Sequence, residues 1–216
     1  MNDIKYLIDV IHGAFRDNEY PGDDYLLGSK GGTEPMEEIE PFVGLDDWTT
    51  VDPILLDMHY AAQNFFSEAG LRFFLPAYLI ADLNEELQTA DPPFTLVHGF
   101  CDLSVERQVG SHVFMRKAGK NAFVNPRRYG GMTFFDYARY RLSIFIREEA
   151  QAIVTYLEYK QENDPDGLSG EEIESALNSF WLERAADAPT AESIAAHLLE
   201  DGEYLSAISS QIDGSS

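Results

Sequence analysis

Apolar residues recur every fourth position at Leu71, Leu75, Leu79, Leu83 and Leu87, with Phe74, Tyr78 and Ile80 widening the stripe. That spacing belongs to a helix with one broad buried side. Between Phe73 and Ala81 the only polar side-chain group is the Tyr78 phenol, so this helix is expected at the centre of the fold. Ser67 is placed to cap its start, with Glu68 in the first turn, where a carboxylate suits the positive helix end. Pro76 lies inside the stripe, removing one backbone donor and crowding the carbonyl four residues back, at a cost of roughly 3 kcal/mol. The sequence therefore favours a short helix ending near Leu75 and a second opening with Pro76 at its first position, over one kinked helix. The apolar run is shorter than the roughly 20 residues that span a bilayer.

The same patterning organises the flanks. Asp3 to Phe15 reads as an amphipathic helix carrying Ile4, Leu7, Ile8, Ile11 and Phe15 on one side, capped by Asn2 or Asp3. Asp17 to Asp24 is a turn cluster around Pro21-Gly22. Thr33 is expected to cap a short acidic helix with Met36, Ile39, Phe42 and Val43 inward and Glu37, Glu38 and Glu40 outward, stopped by Gly44. Asp52-Pro53 opens a helix through Leu55, Leu56, His59, Tyr60, Ala62 and Phe66 that runs into the central stretch. Asp91-Pro92-Pro93 breaks the helical region. Beyond it, Thr95–His98, His112–Met115 and Ala122–Val124 are short β-prone runs separated by glycine and charge.

Helical spacing then returns. Thr133 and Asp136 form a capping-box variant before a helix from Phe134 to about Tyr140. A longer helix from about Arg147 to Glu162 packs through Ala150, Ile153, Val154 and Leu157. Asp164 to Gly167 is a break, and Ser169 with Glu172 introduces a helix with Ile173, Leu177, Phe180 and Trp181 inward. Thr190 is expected to cap a last helix through Ile194 and Leu198. The reading is a mainly α, single-domain bundle of about seven helices over residues 1–208, with a small β or irregular insertion at about 94–132 and a disordered tail at 209–216.

Composition sharpens this picture. The 216 residues carry a formal net charge of −23, unevenly distributed. Residues 1–106 hold 4 Lys/Arg against 21 Asp/Glu, residues 107–147 hold 9 against 1, and residues 148–216 hold 2 against 16. The acidic flanks repel nucleic acid and anionic membranes, so only the middle segment is suited to an anion. One cysteine, Cys101, excludes an intrachain disulfide framework and a thiolate zinc site. The first residues lack a basic leader and a continuous apolar segment, so the expected setting is cytoplasmic.

Candidate chemistry is sparse. Asp23-Asp24 supplies two carboxylates but no convergent oxygen set for a hard cation, so a structural turn is the better reading. Gly28-Ser29-Lys30-Gly31-Gly32 has the wrong order for a phosphate loop. His98 and His112, even with Cys101 or Asp102, match no zinc spacing, and no metal or cofactor is expected. Arg127, Arg128 and Tyr129, with Arg116, Lys117 and Lys120, are the strongest hint. Arginine forks beside a tyrosine suit carboxylate or phosphate, or stacking on a base, unless the segment folds over the acidic helices and neutralises them.

Phe15-Arg16-Asp17, Tyr20-Pro21-Gly22-Asp23-Asp24, Trp48 and Phe65 to Leu83 together resemble a bacterial domain family of unknown function, over roughly the first 85 residues. The helix around Ala150 to Tyr159 fits the same pattern more loosely. The resemblance implies a small bacterial cytoplasmic protein and brings no activity, cofactor or catalytic residue with it. Arg16, Tyr20, Asp23, Asp24 and Arg72 match the family's polar positions and are site candidates in that sense.

Three functions compete. The first is a non-enzymatic binding protein that presents acidic helices to a basic protein partner, as an inhibitor or immunity-type protein would. The second is an anion-binding domain or enzyme using Arg127, Arg128 and Tyr129, with His112 or His98 as acid or base, although no nucleophile, metal set or cofactor loop accompanies them. Nucleic-acid binding through the same patch ranks last, because its charge competes with the acidic remainder of the molecule.

Overall fold

In a computed structural model the chain is mainly helical. The structure describes all residues except 1–3, 29–32, 102–103, 118–122, 125–131, 164–169, 191 and 197–216; the side chains of 104–107, 115–117, 123–124 and 132 are also outside it. Ten α-helices lie among the described residues: α1 (Ile4–Phe15), α2 (Glu34–Ile39), α3 (Pro53–Met58), α4 (Ala62–Phe65), α5 (Glu68–Leu83), α6 (Pro92–Val97), α7 (Phe134–Leu142), α8 (Arg147–Asn163), α9 (Gly170–Ala176) and α10 (Leu182–Ala186). Short 3-10 turns at Asp23–Tyr25, Glu40–Phe42 and Trp48–Thr50, and a π-turn at Leu177–Trp181, complete the helical set. The excess over seven comes from short helices. Expected caps at Asn2, Asp3 and Ser169, the glycine loop at 29–32 and the tail at 209–216 lie outside the described residues.

The central helix α5 is buried on nearly every side, from Gly70 and Leu71 through Leu79, Ala81 and Leu83. Its start follows the capping expectation: the Ser67 hydroxyl accepts from the Gly70 amide at 3.0 Å. The segment before it is stapled alongside, with Ser67 N donating to Leu26 O and Gly28 N to Phe65 O. That approach needs glycine, since a Cβ on Gly28 would sit 2.7 Å from the Phe66 carbonyl oxygen.

Contrary to the sequence reading, α5 runs unbroken through Pro76. The carbonyl that Pro76 leaves without its usual donor belongs to Arg72, and the Asn18 side-chain amide donates to it at 2.7 Å. One of the two penalties of an internal proline is thereby removed from outside the helix. Asn18→Ala strips that donor from a partly buried carbonyl, and the expected loss is about 1–3 kcal/mol of stability in urea unfolding.

Other expectations shift for local reasons. The helix expected from Asp52 into the central stretch divides into α3 and α4, because His59 leaves the helical region at φ −107, ψ 50. Thr33 takes a helical conformation without bonding through its side chain, and on the six-residue α2 it is Pro35 and Ile39 that are buried while Met36 and Val43 face solvent. Asp91-Pro92-Pro93 starts a helix: the Asp91 carboxylate accepts from Phe94 N at 2.9 Å, and prolines in a first turn forfeit no intrahelical bond. Thr95, Leu96 and Val97 are therefore helical rather than extended.

Beyond α6, the described part of the insertion is β in character. Strand β1 (Ser104–Val109) pairs antiparallel with β2 (His112–Lys117) across Gly110-Ser111, and β3 (Phe123–Val124) pairs with β4 (Met132–Thr133). Thr133 then caps α7, its hydroxyl accepting from Asp136 N at 3.0 Å and donating to Asp136 Oδ2 at 2.7 Å. One hydrophobic cluster extends from Leu7 to Ala185. Within it, Phe42, Phe66, Phe73 and Phe74 pack around α5, and Phe100, Phe145, Phe180 and Trp181 join α6 to α8 and the π-turn.

Candidate functional site

Residues 31–71 contain no lysine or arginine. Within them the chain repeatedly places short helical turns behind acidic caps. Asp47 accepts from Thr49 N at 3.0 Å and Asp52 from Ile54 N at 2.9 Å, so each carboxylate sits at a turn start where it also meets the positive helix end. Glu34, Glu37, Glu40, Asp46, Asp47 and Asp52 are exposed. Between them large apolar side chains also reach solvent: Met36 is 61% exposed, Ile54 67%, Met58 69% and Tyr60 52%.

Buried contacts hold this acidic and apolar region in shape. Glu38 Oε2 on α2 comes within 3.8 Å of His59 Nδ1 at the end of α3, beside the Phe42 ring, too far for a hydrogen bond. Beneath them the Tyr78 hydroxyl donates to the His59 carbonyl at 3.3 Å, and burial, with the Glu38 carboxylate nearby, pushes that phenol well up. Asp57 turns inward and accepts three consecutive amides, Gln88 N at 2.8 Å, Thr89 N at 2.6 Å and Ala90 N at 2.9 Å. Partial desolvation pushes its carboxyl up, but the amides outweigh that and hold it below the usual carboxylate range.

Four of the eight Lys/Arg whose side chains are described are drawn inward. Arg72 meets Glu149 through Nε at 3.0 Å to both carboxylate oxygens and through Nη2 at 3.0 Å. Ile146 N donates to the same carboxylate at 2.9 Å. Burial nevertheless pushes the Glu149 carboxyl above its ordinary range, with Arg72 pulling the other way. Arg184 donates from Nε to Phe145 O at 3.1 Å, and burial brings its guanidinium down to about 10 against the pull of Glu149. Arg141 donates to Gln63 O, and Lys160 reaches Asp82 at 3.3 Å beside the Tyr156 hydroxyl. What remains outside is lopsided: among the described side chains, 23 Asp/Glu are exposed against four Lys/Arg, namely Lys5, Arg16, Arg139 and Arg147.

The site residues expected from sequence are dispersed. Arg127, Arg128 and Tyr129 lie outside the described residues, as does Lys120, while Arg116 and Lys117 fall on β2 with undescribed side chains. Arg16 is exposed and reaches only its neighbour Asp17, at 3.4 Å. The Tyr20 hydroxyl donates to Asp23 Oδ1 at 2.5 Å, and Gly44 N donates to that same oxygen at 3.0 Å, a staple between two loops. Burial and the Asp23 contact push the Tyr20 phenol up to about 12. Asp24 is exposed on the neighbouring 3-10 turn, and Arg72 serves the buried pair.

His112 stands at the hairpin end near Phe114. His98 lies beside Phe94 on the other side of the insertion, and burial, with Arg141 nearby, holds its imidazole below the ordinary value. Cys101 Sγ packs toward Val97 O and Glu172 O at 3.6 and 3.5 Å. Among the described residues no three His, Cys, Asp or Glu side chains converge as a metal site would require, and no helix is long and apolar enough to cross a membrane. The exposed apolar side chains of 34–60 were missed by sequence reasoning, which placed Met36 and Val43 inward; the cation-free run from 31 to 71 was the signal present. Comparisons with family models, curated proteins and solved structures return no match.

Proposed function

We propose that the protein is a cytoplasmic, non-enzymatic binding domain that presents the acidic helical face of residues 34–60 to a basic protein partner, in the manner of an inhibitor or immunity-type protein. The resemblance of its first 85 residues to a bacterial family of unknown function belongs to the same proposal. The observation that carries the reading is the inward turn of Arg72, Arg141, Lys160 and Arg184. Among the described side chains it leaves 23 exposed carboxylates against four exposed cations, and a field of one sign speeds encounter with a cationic partner. Met36, Ile54, Met58 and Tyr60 supply what charge cannot, since apolar and aromatic anchors set the lifetime of a complex while rim charges set its rate of formation.

The test is affinity capture with the intact protein and with a Glu34→Lys/Glu37→Lys/Glu40→Lys variant, at low and high ionic strength. These three carboxylates are exposed on α2 and the turn after it, so the variant is expected to fold normally. Basic proteins held by the parent at low salt should be released at high salt and lost by the variant, with association slowed about tenfold or more. A partner retained equally by both proteins at both salt concentrations would rule the face out.

A further inference from the structure

A second feature lies away from the acidic face, where α4, α6 and α7 meet around a cavity of about 40 Å³. Its polar lining comes from Asn64, Thr95, His98, Tyr137 and Arg141, and among the described residues no Asp or Glu contributes. The floor is apolar, formed by Gly99, Ala138 and Leu142.

The lining is both fixed and uncommitted. Arg141 spends one donor on Gln63 O, which anchors its guanidinium and leaves the rest of the five-donor fork available. The His98 ring is held 4.5 Å from the Phe94 ring and 6.2 Å from that of Phe134. Asn64 is exposed and Thr95, His98 and Tyr137 are half-buried, and all four line the pocket without a side-chain hydrogen bond to a described residue. The backbone is drawn tight behind them: Gly99 has φ +95, and a Cβ there would fall 2.8 Å from both Phe134 O and the Ala138 Cβ. Polar groups that their own fold leaves to solvent and that line one pocket are what a ligand site uses.

We propose that this cavity binds a small oxyanion, the carboxylate or phosphate group of a ligand, through Arg141, His98, Thr95 and Tyr137. A guanidinium fork matches two oxygens of such a group, hydroxyl and imidazole N–H donors suit the others, and the missing carboxylates remove the competitor that would favour a metal cation. His98, whose imidazole burial and Arg141 hold below its ordinary value, offers an N–H donor.

The probes are inorganic phosphate and acetate, titrated against the full-length protein at constant ionic strength with sodium chloride as the balancing salt, with the His98 imidazole resonances followed by NMR. One of the two anions is expected to shift them saturably below about 50 mM, phosphate if the site reads a phosphate group and acetate if it reads a carboxylate. Thr95→Val and Tyr137→Phe each remove a hydroxyl with little change of shape and should weaken that binding about two- to tenfold. These variants keep the test open should Arg141→Met, which also removes the anchor to Gln63, fail to fold. The proposal is overturned if neither anion saturates, if chloride alone reproduces the shift, or if both hydroxyl variants bind like the parent.

Discussion

Glu149→Ala should cost about 3–5 kcal/mol of folding stability, because it leaves Arg72 as a desolvated cation without its partner. The Glu149 side chain is 1% exposed and accepts from both Arg72 and Ile146 N, so its loss removes the acceptor of two donors at once. Nearby, the Nη2 of Arg184 is buried without an acceptor among the described residues, so a second positive group would also lose its countercharge. Replacing both members, Arg72→Met with Glu149→Leu, should cost far less than either single change, since it removes the unpaired charge as well as the pair. The sign of the Glu149 shift speaks for the double replacement, because burial outweighs Arg72 and the ionised carboxylate is held at a net cost. Its folded pKa is raised, so this group's contribution to stability is fully present below the unfolded pKa and is lost as pH rises through the folded pKa. Urea unfolding of the two single variants and the double variant reads the effect directly.

Trp181→Ala should be comparably severe, at about 3–5 kcal/mol from the lost burial and the cavity left behind. Trp181 is fully buried at the end of the π-turn, its ring 5.0 Å from that of Phe180 and 5.9 Å from that of Phe145. Its indole N–H donates to the Leu96 carbonyl at 2.9 Å, so truncation also orphans an acceptor on α6. Trp181→Phe keeps most of the ring and loses that bond, and is expected to cost about 1–3 kcal/mol in the same unfolding measurement.

The sequence made the central helix legible because its burial is written in local spacing: Leu71, Leu75, Leu79 and Leu83 are all buried. Its continuity was not legible. The donor that replaces the Pro76 amide is Asn18, 54 residues from the carbonyl it serves. Local preference misled at Thr95–Val97, where a capped proline start outweighs β-branched side chains, and at Met36, because a six-residue helix turns too few side chains inward to obey a full amphipathic stripe. For the candidate face, the carboxylates could be read from composition but the fate of the cations could not. Arg72 and Glu149 are 77 residues apart, and Arg141 and Gln63 are 78 apart, so tertiary contacts decide which charges remain on the surface. Arg72 is a site candidate only through the resemblance, and its contacts in the structure are with the buried Glu149.

The most direct test of the central claim is titration of isotope-labelled protein with a cationic, amphipathic lysine–leucine peptide, followed residue by residue by NMR at low and at high salt. The account expects shifts concentrated on Met36, Val43, Ile54, Met58 and Tyr60, fading as ionic strength rises through the range where the screening length falls from about 10 Å to about 3 Å. Shifts scattered over the molecule, or confined to the hairpin at 104–117 and indifferent to salt, would contradict it.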